Sequence, residues 1–171
     1  SLEDLERRER LNPREFASLY QQTPYIVGGN IIKAHWWRTF PSDLKPETFS
    51  TLVISADTAF KAKTTSDYSV MCVLGMDTTG DIYLVDVIRD RFEFPELKRR
   101  IIMLNNKWRG KGLRGLYIED KASGQSLIQE LKRESGVSVI PYKVSGDKVS
   151  RLNAVLPLIE GGRVFLPENA P

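Results

Sequence analysis

The sequence predicts an α/β domain: a mixed sheet, built from a three-strand antiparallel meander plus parallel strands, flanked by helices. Three observations carry this reading. Three apolar runs follow one another between Thr51 and Val87, and Asp77-Thr78-Thr79-Gly80-Asp81 joins the second to the third as a hairpin turn. After Val87, runs of helical spacing alternate with short extended runs, the order expected of right-handed crossovers between parallel strands. Finally, 41% of the 171 residues are hydrophobic, which suits one domain with a real core and leaves little room for a second.

Taken in order, residues 1–22 read as helix. Leu2 and Leu5 sit on a charged stretch; Asn12-Pro13-Arg14-Glu15 then supplies an N-cap, a proline at the first helical position and an acid three residues after the cap. Phe16, Leu19 and Tyr20 form the apolar stripe, and Thr23-Pro24 ends the helix. Thr23 to Ser50 reads as an extended connector anchored by Trp36, Trp37 and Phe40, the tryptophan pair serving to dock the arm rather than to stack a ligand. The expected organisation is a helix and arm over 1–50 and a folded domain over 51–171.

Thr51 to Asp57 is nearly all apolar until its last residue, as a strand covered on both faces should be. Tyr68 to Met76 and Ile82 to Val87 complete the meander. Glu93 to Trp108 carries Phe94, Leu97, Ile101 and Leu104 at helical spacing, with Pro95 near its start. A strand at Leu113 to Ile118, a helix at Gly124 to Glu134 and a strand at Val137 to Pro141 follow. Lys148 to Glu160 is a helix bearing Leu152, Val155, Leu156 and Ile159, and Arg163 to Leu166 is short and extended.

Several chemistries are excluded by composition. A single cysteine, Cys72, and a single histidine, His35, cannot build a disulfide framework or a zinc cluster. Cys72 reads as a buried, inert mid-strand residue, and His35, beside two tryptophans, as a packing residue rather than part of a nucleophilic triad. There is no G-x-x-x-x-G-K-[ST] loop, so no ATP site is expected in this chain, and no G-x-G-x-x-G follows the first strand. No apolar run approaches the roughly 18 residues of a membrane span, and Ser1 to Arg10 is charged rather than signal-like, so the expectation is a soluble protein with no membrane partner.

What remains is oxygen chemistry at a switch point. The helical crossover after the meander can return the fourth strand, Leu113 to Ile118, to the free side of the first, parallel to it, and crevices open beyond the carboxyl ends of such strands. Asp57 and Glu119 end those two strands. Adjacent strands lie roughly 4.8 Å apart, so the two carboxylates could share a Mg²⁺ or Mn²⁺ ion. Asp67, leading the antiparallel second strand, should start close to them, with Asp120 as a spare.

Charge supplies a partner. With 25 Lys and Arg against 22 Asp and Glu, the net charge is only +3, but basic residues surround the acidic strand ends, an arrangement suited to a phosphodiester backbone. The run Lys98 to Arg114 reads as a solvated helix face. Lys148 and Arg151, one turn apart at the start of a helix, are better candidates for phosphate, with Lys61 and Lys121 as further ones.

These residues also carry a resemblance. SADTAFKAKTTSDYSVMCVLG (Ser55 to Gly75), LYIEDKASGQSLIQEL (Leu116 to Leu131) and KVSRLNAVLPLIEGGRVFLP (Lys148 to Pro167) resemble the nuclease domain of the large terminase subunit of tailed double-stranded DNA phages and prophages. FASLYQQTP (Phe16 to Pro24) is similar to the stretch joining the packaging ATPase to that nuclease. The resemblance implies a ribonuclease H-like fold and a metal-dependent endonuclease that cuts concatemeric double-stranded DNA by a two-metal mechanism in the cytoplasm of the bacterial host. It implies that Asp57 bridges the metals, that Glu119 holds one of them and that Asp67 supports them, Asp120 replacing Glu119 if the register differs by one. Portal protein and small terminase subunit are the implied partners of the parent. Members of the family carry a further catalytic aspartate on a helix beyond the segment similar to GGRVFLP, whereas this chain stops at Pro171; the expectation is a fragment without the motor and without the last ligand, impaired in cleavage. Two alternatives stay open: a non-catalytic DNA-gripping or portal-docking module, and a nuclease of resolvase or transposase type, against which the arm argues.

Overall fold

The computed structural model describes residues 31–41, 43–59, 67–134 and 136–169. The helix expected over residues 1–22 and Lys61 lie outside them. The chain divides into two compact units, Ser1–His35 and Trp36–Pro171, and the second holds every strand among the described residues. In chain order it contains β1 (Arg38–Phe40), β2 (Thr51–Asp57), β3 (Ser69–Met76), β4 (Ile82–Asp90), α1 (Phe94–Arg109), β5 (Leu113–Glu119), α2 (Ala122–Leu131), β6 (Val139–Tyr142), α3 (Lys148–Glu160) and β7 (Val164–Pro167). The strands form one sheet in the order β1-β7-β4-β3-β2-β5-β6.

The mixed sheet follows the sequence reading. β2, β3 and β4 are the antiparallel meander, and β5 returns parallel to the free side of β2. Alternation then decides what each face carries. Leu52, Ile54 and Ala56 of β2, Met71 and Val73 of β3, and Leu116 and Ile118 of β5 are buried against Leu97, Ile101, Leu104 and Trp108 of α1 and Leu127, Ile128 and Leu131 of α2. The sheet is stiffened from one side by these two helices, which Lys98 ties together through Glu130 and Glu134 at 2.9 Å each. The opposite face carries Val53, Ser55, Cys72 and Tyr117, only half buried.

Several boundaries differ from the sequence reading, those of β1 and β4 for a long-range reason. Arg38–Phe40, read as connector, is a strand because β7 offers it an outer edge, with Arg38 opposite Phe165 and Phe40 opposite Pro167. Phe40 is buried edge-on to Tyr83 at 5.5 Å, and Tyr83 stacks on Phe165 at 4.7 Å. Trp36 to Ser50 thus falls within the second compact unit together with β2 to β7. β4 continues to Asp90, three residues past Val87, because Ser69 and Val70 of β3 pair with Asp90 and Arg89. α2 starts at Ala122 rather than Gly124.

The hairpin turn and the α3 cap are held by single carboxylates. Asp77 accepts from Thr79 N, Thr79 Oγ1 and Asp81 N through Oδ1 and from Tyr83 OH through Oδ2. Asp147 accepts from Ser150 N at 2.8 Å and Ser150 Oγ at 3.1 Å. Hydrogen bonding, from the Thr79 hydroxyl foremost in the first case and the Ser150 N–H in the second, holds both carboxyls below the usual aspartate value. A folded pKa below the unfolded one contributes stability that is present above the unfolded pKa and is lost as pH falls through the folded one. Denaturant unfolding measured from pH 6 down to 3 should therefore show a shallower acid loss in Asp77→Asn than in wild type, and shallower again with Asp147→Asn added.

Candidate functional site

β2 and β5 run parallel with Ala56 opposite Ile118, which sets the next residues, Asp57 and Glu119, side by side at the carboxyl ends of the two strands. Since Ala56 and Ile118 point into the helical core, Asp57 and Glu119 point to the opposite face. Asp57 is open, its side chain 69% exposed, and Glu119 more sheltered at 23%.

Between them lies a cation. Lys121 Nζ donates to Asp57 Oδ1 at 2.9 Å and to Glu119 Oε2 at 2.7 Å. The hydrogen bonds, to Glu119 first and Asp57 second, hold its ammonium above the usual lysine range. Two carboxylates from strands brought together by the crossover thus aim one oxygen each at a single point, and a positive charge occupies that point. This is the arrangement a hard divalent cation requires of its protein oxygens. Asp57 and Glu119 therefore fit the metal that their positions at the strand ends suggest.

Gly124 explains how Lys121 reaches the pair. A Cβ at Gly124 would lie 2.3 Å from the carbonyl oxygen of Glu119. Only a glycine allows the first turn of α2 to press against the end of β5, and Gly124 and Gln125 both donate their N–H to Lys121 O there. Sequence reading did not single out Gly124, although a glycine five residues after a strand-end acid, inside a helical pattern, was the available signal.

The other expected residues are distributed as follows. Asp67 is exposed, three residues ahead of the Val70 that opposes Asp57, and the described residues contain no group of three or more acids able to hold a metal, so the third converging carboxylate expected at Asp67 is not assembled. The chain leaves β3 in the direction that carries residue 67 beyond the end of β2. Asp120 turns away, its carboxylate accepting from Gln125 Nε2 at 3.3 Å; alternation allows only one of two successive acids to face the site, and Glu119 is that one. Lys148 and Arg151 are exposed on the first turns of α3, which begins at the end of the sheet where β6 stops, with Tyr142 opposite Glu119. Within the basic run of α1, Lys98, Arg99, Arg100 and Lys107 pair with Glu130 and Glu134, Glu96, Glu96 and Asp86, in keeping with a helix face rather than a phosphate track. Cys72 is half buried in the middle of β3, and burial pushes its thiol pKa up. His35 is exposed in a short 3-10 turn at Ala34–Trp36. Directly below the acid pair, Val53, Ser55, Tyr117 and Tyr142 line a cleft of about 440 Å³.

Comparison with known proteins bears on this arrangement. The family model described as the terminase RNaseH-like domain matches residues 54–170. No curated protein is similar enough in sequence to match. Among solved structures, the large terminase of a thermophilic bacteriophage superposes with a TM-score of 0.63 at 15% identity, covering 98% of this chain and 42% of that one. The large terminase nuclease of thermophilic phage G20c with bound zinc gives 0.57 at 19% identity over 79% of this chain and 78% of that one, and the same nuclease was also solved with bound magnesium. The Mn-soaked, inhibitor-bound terminase nuclease domain of human cytomegalovirus gives 0.51 at 13% identity over 76% and 71%. The chain thus spans less than half of the full-length phage terminase it matches and about three quarters of the isolated nuclease domains.

Proposed function

The chain belongs to the terminase RNaseH-like domain family, and from that premise we propose that it is a divalent-metal-dependent endonuclease domain that hydrolyses the backbone of double-stranded DNA. The observation that carries the reading is the convergence of Asp57 Oδ1 and Glu119 Oε2 on one cation, Lys121 Nζ. A divalent ion held by Asp57 and Glu119 would supply Lewis-acid activation of water and neutralise charge on the leaving oxygen. Asp57, with its second oxygen Oδ2 making no hydrogen bond to the described residues, is the carboxylate with capacity for two ions. Glu119, more sheltered and continuous with β5, fixes one position. Lys121 balances the two carboxylates, and an ion held there would leave its ammonium available to a phosphate oxygen. Lys148 and Arg151, at the same end of the sheet, supply further phosphate contacts. In the parent protein the same reading makes concatemeric phage DNA the substrate, cut in the host cytoplasm, with portal protein and small terminase subunit as partners.

The test is metal binding and DNA binding on one protein. Calorimetry with Mn²⁺ should show binding that is lost in Asp57→Ala. DNA binding that falls steeply with salt, ignores metal and survives Asp57→Ala with no metal binding in wild type would instead favour a gripping module. Because Lys121 and a divalent ion compete for the same two oxygens, Lys121→Met should bind Mn²⁺ more tightly than wild type, by about tenfold, the scale expected when a neighbour of metal ligands is altered. Unchanged or weaker Mn²⁺ binding in Lys121→Met would sink the competition.

A further inference from the structure

Beyond the carboxylate pair, the same end of the sheet holds a second constellation. Arg89 Cζ lies 3.6 Å from the ring centroid of Tyr68, and Arg91 Cζ lies 4.3 Å from it. Tyr68 is 38% exposed and both arginines are exposed. This is a cation–π arrangement in which one ring meets two guanidinium groups. Exposed guanidinium groups oriented on a ring present N–H donors suited to a phosphate oxygen. Arg89 makes no ion pair with the described residues.

The register fixes where the group lies relative to the acids. Asp57 pairs with Val70, and Val70 with Arg89. Asp57, Val70 and Arg89 therefore form one cross-strand row, and side chains directly opposite one another share a face. Tyr68 precedes Val70 by two residues and Arg91 follows Arg89 by two, so both continue the ladder on that face, just past the end of β2. Two interstrand spacings separate Arg89 from Asp57, roughly 10 Å. A DNA strand advances about 3.4 Å per nucleotide along the helix axis, so this row spans a few nucleotides.

We propose that Tyr68, Arg89 and Arg91 form a phosphate clamp that holds the backbone of duplex DNA a few nucleotides from the position engaged by Asp57 and Glu119. The proposal rests on the reading of the chain as a DNA-cleaving domain. Tyr68 is a positioning residue: its ring keeps the two planar guanidinium groups splayed and oriented, and Arg89 and Arg91 donate to phosphate oxygens, a geometry guanidinium matches in bidentate fashion.

The experiment is fluorescence anisotropy on a labelled DNA duplex, titrated without divalent metal at several salt concentrations so that no cleavage occurs. Arg89→Gln should weaken binding about three- to tenfold and reduce the slope of log affinity against log salt by about one. Arg89→Gln with Arg91→Gln should reduce it by about two. Tyr68→Phe keeps the ring and should bind as wild type, whereas Tyr68→Ala should lose affinity with both arginines still present. Mn²⁺ binding, measured separately, should be the same in Arg89→Gln as in wild type. An Arg89→Gln variant with wild-type affinity and salt slope overturns the clamp and leaves the proposed function standing. Wild-type protein that binds the duplex with no salt dependence overturns both.

Discussion

Asp57→Ala is expected to lower Mn²⁺ and Mg²⁺ affinity by at least about 100-fold, beyond the 10- to 100-fold that follows loss of an outer-sphere partner. The reason is geometric. Asp57 and Glu119 each turn one oxygen to the position of Lys121 Nζ, and without Asp57 a single carboxylate remains, already paired with Lys121. The competitor then holds the last ligand one to one. Folding should scarcely change, because Asp57 is 69% exposed and its side chain's contact among the described residues is a surface ion pair, worth about 1 kcal/mol or less. Calorimetric heat lost at unchanged melting temperature is therefore the expected signature, and Mn²⁺ binding that persists in the folded variant would remove Asp57 from the site.

Gly124→Ala should show the complementary pattern, damage to both stability and site. The new methyl would meet Glu119 O at 2.3 Å, and backbone on both sides leaves no flexible side chain to yield. α2 must lift at its first turn, taking Leu127, Ile128 and Leu131 partly out of the core in which they are buried. Overpacking of this kind costs about 1–3 kcal/mol. The same displacement moves Glu119 relative to Lys121, so Mn²⁺ affinity should fall together with the denaturation midpoint. Gly110→Ala is the control: nothing lies within 4 Å of its Cβ and its φ is −82°, so it should be within about 0.5 kcal/mol of wild type. Urea unfolding and metal titration of the three proteins decide the point, and a Gly124→Ala protein as stable as Gly110→Ala would refute the close seating of α2.

Much of this was legible without coordinates, and particular residues show why. β2 and its terminal Asp57 follow from a nearly continuous apolar run closed by an acid, although the face bearing Val53 and Ser55 is only half buried rather than covered. Leu97, Ile101, Leu104 and Trp108 mark α1 by a period near 3.6. Asp147 caps α3, and Lys148–Glu160 has the bounds that its pattern predicts. Each of these signals resides within a few residues of the element it specifies. β1 is different: three residues show no period, and Arg38–Phe40 is extended because Val164–Pro167 lies beside it. The last three residues of β4 are a strand because β3 is long enough to pair with them.

The sequence by itself determined the α/β class, the meander and its return crossover, the exclusion of sulfur and imidazole metal chemistry, and the two strand-end acids Asp57 and Glu119. Tertiary structure alone decided that Lys121 bridges those acids, that Asp67 is not gathered with them, that Gly124 seats α2 on the end of β5, and that Tyr68 meets Arg89 and Arg91. The division has one physical cause. Periodicity and capping act over one or two turns of chain, whereas Lys121 and Asp57 stand 64 residues apart and meet only because sheet register, set by the whole core, brings the ends of β2 and β5 together.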